Sequence, residues 1–358
     1  MLNFSVGPVM MDSETKQLGA EEVPYFRTDD FSRIMLENET MVRSLALAND
    51  QVRLITLTGS GTLAMDATIL NCFTKEDKLL IINGGSFGTR FCEIADCYGI
   101  PYEAINLQFG ESVTLDHFEN IDLATFTGLV VNADETSSGV LYDIEMLGNL
   151  CKKNNLFFVV DAISAFLADE IRFDEFNIDI LITGSQKALA LPPGLSLILC
   201  SEKAQERINH NESPTYYQNL KRALKDGERG QTPFTPAVGI ILQLHDKLKR
   251  ISKVGIEKQI QQSNDLAKYF RDRIAKYNFE FITDSKSNAV TALRVPVGVS
   301  ARQIFKELES RFNIWVCPNG GALSDEVFRV GHIGHLTKGD YDTLFSALEQ
   351  LQKEGIIK

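Results

Sequence analysis

Short apolar runs alternate along the first half of the chain with longer segments whose apolar residues recur at helical spacing. Strands covered by helices on both faces are buried throughout, and crossover helices join parallel strands. The alternation therefore predicts an α/β fold with a mostly parallel sheet between helices. The runs assigned as strands are Val52–Leu57, Lys78–Ile82, Leu129–Asn132, Phe157–Asp161, Ile178–Thr183 and Leu195–Cys200.

The helical segments between these runs are Leu63–Phe73, Arg90–Tyr98 and Glu145–Asn154. The last two strand runs are separated only by SQKALALPPG, which is too short for a crossover helix. That pair is therefore predicted to be antiparallel, which makes the sheet mixed.

The pattern changes after Pro236, where a helical stretch over residues 237–277 is followed by a mixture of strands and helices. We predict a large domain of residues 15–240 and a smaller α+β domain of residues 241–358 that also includes residues 1–14. One continuous helix is expected to join them. The further elements expected are strands Ala289–Val295, Ile314–Val316 and Val327–Val330 and helices Ala301–Arg311 and Tyr341–Glu354.

Charge and cysteine content exclude several classes of function. The formal net charge of −12 opposes binding to a phosphate backbone, so nucleic acid is not the expected partner. None of the six cysteines forms a CxxC pair or a zinc-finger spacing with histidine, so we expect no metal site and a reducing compartment. Without a signal peptide or a membrane-length apolar stretch, the expected location is the cytoplasm.

The first candidate site is the segment TGSGTLAMDAT, which follows a predicted strand and opens a predicted helix. Its loop, with Ser60, Gly61 and Thr62, offers free backbone N–H groups at the positive end of a helix dipole, which suits a phosphate. It matches neither a Walker loop nor a GxGxxG fingerprint. An ordinary helix N-cap with turn glycines is the alternative interpretation.

Two further candidates follow predicted strands. Asp161 lies at the carboxyl end of the apolar run FFVVD, where open α/β sheets bind their ligands, although it could also be a helix cap. Lys187 is the only basic residue between Arg172 and Lys203, and apolar residues surround it in sequence. An apolar setting lowers the pKa of lysine and gives the neutral amine that forms a Schiff base.

A phosphate loop, a strand-end aspartate and a strand-end lysine together match the needs of pyridoxal 5'-phosphate (PLP). The loop would anchor the phosphate, Asp161 would keep the pyridine nitrogen protonated, and Lys187 would carry the aldehyde. The segment GSQKALALPPGLSLI resembles the active-site segment of class V aminotransferases, of the aspartate aminotransferase fold type (PLP fold type I). That fold type implies a large domain with a mixed, mostly parallel seven-stranded sheet between helices and a smaller α+β domain. The resemblance extends over almost the whole chain.

The resemblance implies roles for further residues. It implies a ring at Phe87 stacked on the pyridine, a hydroxyl at Thr136 near the cofactor's 3-oxygen, and Gln186 at the phosphate. Thr232 would reach the PLP of a neighbouring subunit, which implies a homodimer with shared active sites. The substrate-binding residues it implies are Arg329, for the α-carboxylate, with Gly7 and Arg27 at the pocket.

The resemblance leaves the substrates open. Similarity to alanine–glyoxylate and serine–pyruvate aminotransferases implies L-alanine or L-serine as donor and glyoxylate or pyruvate as acceptor. The alternative is a 2-aminoethylphosphonate–pyruvate aminotransferase, for which Arg27 or Arg229 would supply additional positive charge. Three departures from related sequences lie near the pocket or dimer edge: Phe26 stands where a histidine often precedes Arg27, Arg229 where an aromatic residue is common, and the segment FLADEIRFDEF lacks the usual glycines.

Two other classes are less favoured. A PLP lyase such as a cysteine desulfurase usually stacks histidine on the ring, where this chain has Phe87, and needs a nucleophilic thiol, for which Cys317 is the candidate. A binding protein derived from a PLP enzyme would usually have lost the lysine or the aspartate, and both are present.

Overall fold

A computed structural model describes residues 1–357 of the chain. Their strands are β1 (Leu2–Asn3), β2 (Arg53–Gly59), β3 (Leu79–Asn83), β4 (Tyr102–Asn106), β5 (Gly128–Asn132), β6 (Asp134–Glu135), β7 (Val140–Leu141), β8 (Phe157–Asp161), β9 (Ile180–Gly184), β10 (Gly194–Cys200), β11 (Glu280–Phe281), β12 (Val290–Arg294), β13 (Ile314–Trp315), β14 (Cys317–Pro318) and β15 (Val327–Gly331).

The α-helices of the same residues are α1 (Ser13–Leu18), α2 (Asp29–Leu45), α3 (Gly61–Cys72), α4 (Ser86–Tyr98), α5 (Ile144–Lys153), α6 (Glu202–His210), α7 (Leu220–Gly227), α8 (Val238–Val254), α9 (Ile256–Ile274), α10 (Ala301–Phe312) and α11 (Lys338–Lys353). None of these helices is long and apolar enough to cross a membrane.

A seven-stranded sheet forms the centre of the larger part of the molecule, in the order β2-β10-β9-β8-β5-β3-β4. Neighbouring residues along each strand face opposite sides, so Leu80 and Ile82 enter one buried cluster and Leu79 and Ile81 the other. Strand β10 is antiparallel to both of its neighbours, and the other pairs are parallel. The predicted mixed α/β sheet and the antiparallel final pair are confirmed.

The sequence patterns missed one strand of this sheet. β4 lies at the edge, and of its five residues only Ile105 is buried. An edge strand needs no continuous apolar run, because only part of its surface packs against the core. Strand assignment from apolar runs therefore found six of the strands, and the seven-stranded sheet implied by the family resemblance is confirmed.

A smaller four-stranded sheet, in the order β11-β12-β15-β14, forms a third buried cluster with α9, α10 and α11. β1 pairs in parallel with β13, so the start of the chain lies beside this sheet. The predicted strand Ile314–Val316 corresponds to β13, and a further short strand, β14, follows it and pairs with a different partner.

The predicted continuous helix over residues 237–277 is wrong. It is two helices, α8 and α9, separated at Gly255, whose φ of +92° departs from helical geometry. Side chains of α8, such as Leu244 and Leu248, belong to the core under the seven-stranded sheet, whereas Phe270 and Ile274 of α9 pack in the smaller cluster. The domain boundary at residues 240/241 remains a prediction.

Asp12 fixes the N-terminal segment to α8. Its carboxylate accepts hydrogen bonds from Lys247 Nζ and, at 2.9 Å, from Arg250 Nη1, and it caps α1 through Thr15 N at 2.7 Å. Asp12 and Lys247 are both buried. The two cations and the backbone donor hold the pKa of Asp12 well below its ordinary value, against the effect of burial.

We predict that Asp12→Ala lowers the free energy of unfolding by about 3–5 kcal/mol, because it leaves the buried Lys247 amine without its partner. Denaturant unfolding at neutral pH measures the change. The matched control is Asp246→Ala, which removes a 44% exposed partner of Arg250 and should cost less than about 1 kcal/mol. Equal losses in the two variants would contradict the assignment.

Candidate active site

Lys187 lies in the turn between β9 and β10, and its side chain points into the protein. It is 7% exposed, and its amine donates a hydrogen bond of 2.6 Å to the carbonyl oxygen of Val6. Burial lowers the pKa of Lys187 to about 8, although the nearby acids Asp134 and Asp161 oppose this effect. The amine can therefore lose its proton near neutral pH.

Gly7 lies against the Lys187 side chain. A Cβ atom placed on Gly7 would lie 2.7 Å from Cδ and 3.0 Å from Cε of Lys187, and the φ of Gly7 is +130°. Both the contact and the backbone conformation therefore require glycine here. This close approach fixes the path of the lysine side chain.

Asp161 ends β8 beside the lysine. Parallel pairing aligns Asp161 with Asn132 of β5 and Ile182 of β9, so three strand ends come together. Its Oδ1 accepts a hydrogen bond of 2.8 Å from Ile163 N, and the residue is 4% exposed. Burial raises the pKa of Asp161 to about 7, against the opposing effects of that hydrogen bond and the charge of Lys187. A cationic group beside it would restore the charged form.

The predicted phosphate loop lies next to the turn that follows Asp161. Gly61 begins α3, and a Cβ atom there would lie 2.3 Å from Cδ1 of Ile163, two residues beyond Asp161. Ser60 N-caps this helix without a side-chain capping bond, and Thr62 Oγ1 accepts a hydrogen bond of 3.2 Å from Arg90. The loop and the strand-end aspartate are thus parts of one site.

Phe87 lies in the first turn of α4, where the buried Glu135 caps the helix. Glu135 Oε2 accepts hydrogen bonds from Phe87 N at 3.1 Å and from Gly88 N at 3.2 Å. The guanidinium of Arg90 lies 4.8 Å from the centre of the Phe87 ring. Arg90 and Glu135 were missed at the sequence level; the acidic residue of DETSSG, directly after β5, was the available signal for Glu135.

Thr136 and Arg329 are in direct contact. Arg329 Nη1 donates a hydrogen bond of 3.0 Å to Thr136 O, and Nη2 contacts Cys317 Sγ at 3.1 Å and Pro318 O at 3.0 Å. The Thr136 hydroxyl lies 2.7 Å from that of Ser164, in the turn after Asp161. Arg329 and Cys317 also influence the pKa of Lys187, so their charges act on the lysine amine.

Gln186 is held on the backbone beside the lysine, where its carbonyl accepts a hydrogen bond of 3.3 Å from Val9 N. Its side-chain Oε1 is buried and has no hydrogen-bond partner. A buried amide without a partner is costly, so this side chain is suited to meeting a ligand.

Arg27 and Thr232 are far apart in sequence and contact each other in the structure. Arg27 Nη1 donates hydrogen bonds to Thr232 O at 2.8 Å and to Gln231 Oε1 at 3.0 Å, and the Thr232 hydroxyl donates to Phe234 O at 2.7 Å. These contacts tie Arg27 to the Thr232 segment.

Comparison with known proteins identifies the family. The family model described as aminotransferase class-V matches residues 23–325. The chain belongs to the class V aminotransferases. It is therefore a PLP-dependent aminotransferase.

Two relatives and one solved structure illustrate the similarity. An uncharacterized aminotransferase of Methanocaldococcus jannaschii is 31% identical over 97% of this chain and 91% of its own length. The L-aspartate–glyoxylate aminotransferase of Paracoccus denitrificans is 28% identical over 93% of this chain and 86% of its own. The structure of an alanine–glyoxylate aminotransferase from Nostoc sp. matches with a TM-score of 0.92 at 25% identity, covering 98% of this chain and 95% of that one.

We predict that Gly7→Ala lowers aminotransferase activity by about 100-fold without unfolding the protein. The added methyl group would displace the Lys187 side chain by about 1 Å, and a misplacement of that size in a reacting group has such an effect. Turnover and far-UV circular dichroism measure the two properties. Gly320→Ala is the matched control, because a Cβ atom there meets no atom within 4 Å. Unchanged turnover in Gly7→Ala would contradict the contact.

Proposed function

We propose that this aminotransferase holds PLP at Lys187 and Asp161 and transfers the amino group of L-alanine or L-serine to glyoxylate or pyruvate. The main support is the juxtaposition of a buried lysine of lowered pKa with a buried aspartate that lacks a cationic partner. When bound, PLP supplies a ring that accepts the electron pair left as a substrate Cα–H bond breaks.

Features of the site fit PLP. The start of α3 offers backbone N–H groups to a phosphate, and Arg90 adds a positive charge beside Thr62. The side-chain N–H groups of Gln186 are donors that a phosphate oxygen can accept from, and the carboxyl of Asp161 is suited to the N–H of a protonated pyridine ring. We propose Ser60, Gly61, Thr62 and Gln186 for the phosphate, Phe87 for the ring face, and Thr136 for the 3-oxygen.

Lys187 is proposed to perform the proton transfer. Its pKa of about 8 leaves part of the amine neutral near neutral pH, so Nζ could accept the proton that leaves substrate Cα and then donate it to the cofactor carbon that carries the amino nitrogen. Contact with Gly7 and the hydrogen bond to Val6 O limit the positions of this amine. Because the amine is already held in place, less conformational entropy is lost when it reaches the reactive geometry.

Arg329 is proposed to bind the substrate α-carboxylate. Three acceptors from the protein hold its terminal nitrogens, so the guanidinium is positioned before substrate arrives. Gly7 would form the pocket wall beside Lys187. The glyoxylate-dependent activities named for the Paracoccus relative and the Nostoc structure support a small 2-oxo acid as acceptor.

The glyoxylate-dependent activities named for these relatives favour an amino acid over 2-aminoethylphosphonate as donor. Of the arginines considered for a phosphonate, Arg27 is held by the Thr232 segment, and Arg229 pairs with Asp226 at 2.6 Å. Desulfurase chemistry is also less favoured, because Cys317 lies on β14 and its sulfur accepts a hydrogen bond from Arg329. Arg27 is then proposed to act at the pocket by holding the Thr232 segment.

We further propose a cytoplasmic homodimer in which Thr232 of each subunit reaches the PLP phosphate of the other. The six free cysteines support a reducing compartment. Exposed aromatic side chains at Tyr25, Tyr216 and Tyr217, close to the 231–234 segment through Phe26 and Phe234, support a contact surface there.

Borohydride reduction should attach PLP to Lys187, and Lys187→Ala should abolish both the attachment and turnover. Because only the neutral amine reacts with an aldehyde, incorporation into the apoprotein should accelerate as the pH rises through about 8, the pKa of Lys187. Peptide mapping by mass spectrometry and stopped-flow absorbance measure these results. Lys203→Ala, which removes a half-exposed lysine, is the control. Attachment at another lysine would overturn the proposal.

L-Alanine or L-serine should bleach the yellow colour of the PLP-bound protein, whereas 2-aminoethylphosphonate should not. Arg329→Lys should raise the KM for L-alanine about tenfold or more, since it removes a charge-assisted hydrogen bond worth ~1.5–3 kcal/mol. Absorbance titration and steady-state kinetics measure these effects. Bleaching by the aminophosphonate, unaffected by Arg329→Lys, would assign the enzyme to phosphonate substrates.

A further inference from the structure

A second group of buried acids lies beside Lys187, and the proposed reaction does not use it. Asp134 on β6 is 4% exposed, and Asp169, which follows β8, is 2% exposed. The Ser287 hydroxyl lies between them, 2.9 Å from Asp134 Oδ2 and 2.7 Å from Asp169 Oδ2. Ser287 precedes β12 of the smaller sheet, whereas Asp134 and Asp169 lie in segments that follow β5 and β8 of the larger sheet, so the cluster connects these three segments.

The two contacts of the Ser287 hydroxyl constrain the protonation states of Asp134 and Asp169. A serine hydroxyl carries one hydrogen and can donate it to only one of the two carboxylates. Its oxygen also accepts a hydrogen bond of 2.9 Å from Ala289 N. For both short contacts to be hydrogen bonds, one of the carboxyl groups must supply a hydrogen of its own.

Asp134 is the better candidate for the protonated acid. Asp169 Oδ1 accepts a hydrogen bond of 2.8 Å from Asn288 N, and the charge of Arg271 acts on this carboxyl. Asp134 Oδ1, by contrast, is buried without a partner, which is costly for a carboxylate and much less so for a neutral acid. Burial raises both pKa values, that of Asp169 to about 6 and that of Asp134 well above its ordinary value.

We propose that Asp134 is a neutral carboxylic acid, hydrogen-bonded through Ser287 to the Asp169 carboxylate, and that it is a positioning residue that sets the charge around Lys187. The charged groups facing Asp134 are Asp169, Glu135 and Lys187, and Arg271 faces both acids.

The effect of Asp134 on catalysis by Lys187 rests on the proposed function, whereas the protonation of the Asp134–Asp169 pair does not. Among the acids near Lys187, Asp134 has the largest effect on the pKa of the amine, ahead of Asp161. An ionised Asp134 contributes to the pKa of about 8, so a neutral Asp134 would lower that pKa and leave more of the amine uncharged near neutral pH. Its hydrogen bond still connects β6 to the segment before β12.

Infrared spectroscopy of the apoprotein tests the pair directly. At a pH well above the pKa of about 7 of Asp161, the wild type should retain the C=O band of one protonated carboxyl group. Asp134→Asn should lose this band. Asp116→Asn, at an exposed acid, is the control and should keep it. No band in the wild type, or a band that survives Asp134→Asn, would overturn the proposal.

A second experiment tests the effect on Lys187 by following the visible absorbance of the PLP-bound protein against pH. Asp169→Asn removes the neighbouring charge, so Asp134 should ionise and the midpoint of the absorbance change should rise by about one pH unit. Asp134→Asn/Asp169→Asn should return the midpoint to that of Asp134→Asn. A rise that persists in the double variant would contradict the role of Asp134.

The two experiments separate the possible failures. If the protein binds no PLP at all, the proposed function fails, and the infrared result still decides whether the pair shares a proton. Should Asp169→Asn not fold, Ser287→Ala serves instead. It removes the bridge, and the C=O band should move to the frequency of an acid without that hydrogen bond. An unmoved band would contradict the bridge.

Discussion

The site depends on the parallel pairing of β5, β8 and β9. Their register aligns Asn132, Asp161 and Ile182, so the chain leaves all three strands at the same edge of the sheet. The segments that follow carry Thr136, the turn after Asp161, and Lys187. A shift of one residue in either pair would turn the aspartate to the other face of the sheet. The backbone pairing of these strands therefore determines which side chains meet at this edge of the sheet.

Burial of charge is the second requirement of the site. Lys187, Asp161 and Asp134 all lie among apolar strands, where the charged forms of their side chains are less stable than in water. Burial lowers the pKa of Lys187 and raises those of Asp161 and Asp134, which destabilises the folded chain. Lys187 and Asp161 thereby become groups that can exchange protons near neutral pH. The pKa of the buried Asp12 is instead lowered, because two cations keep its carboxylate ionised.

Much of the larger sheet could be predicted from the sequence, because buried strands are written as continuous apolar runs. The edge strand β4 and the break at Gly255 could not, since the first lacks such a run and the second depends on the φ of one residue. Within the site, Lys187 and Asp161 were identifiable from their position after strands. Arg90 and the Asp134–Ser287–Asp169 cluster were not, because their partners are distant in sequence, and the position of Glu135 after β5 did not reveal that it caps α4.

The N-terminal segment is held at several points along its length. Phe4 hydrogen-bonds to Trp315 and Gly331, Val9 N to Gln186 O, and Asp12 to α8, with Gly7 against Lys187 between these points. Its length is therefore fixed as strictly as its sequence. An insertion or deletion within residues 5–11 would move Gly7 and the Val6 carbonyl away from their contacts with Lys187. In related sequences, residues 5–11 should therefore vary by substitution, whereas insertions and deletions should occur in exposed loops.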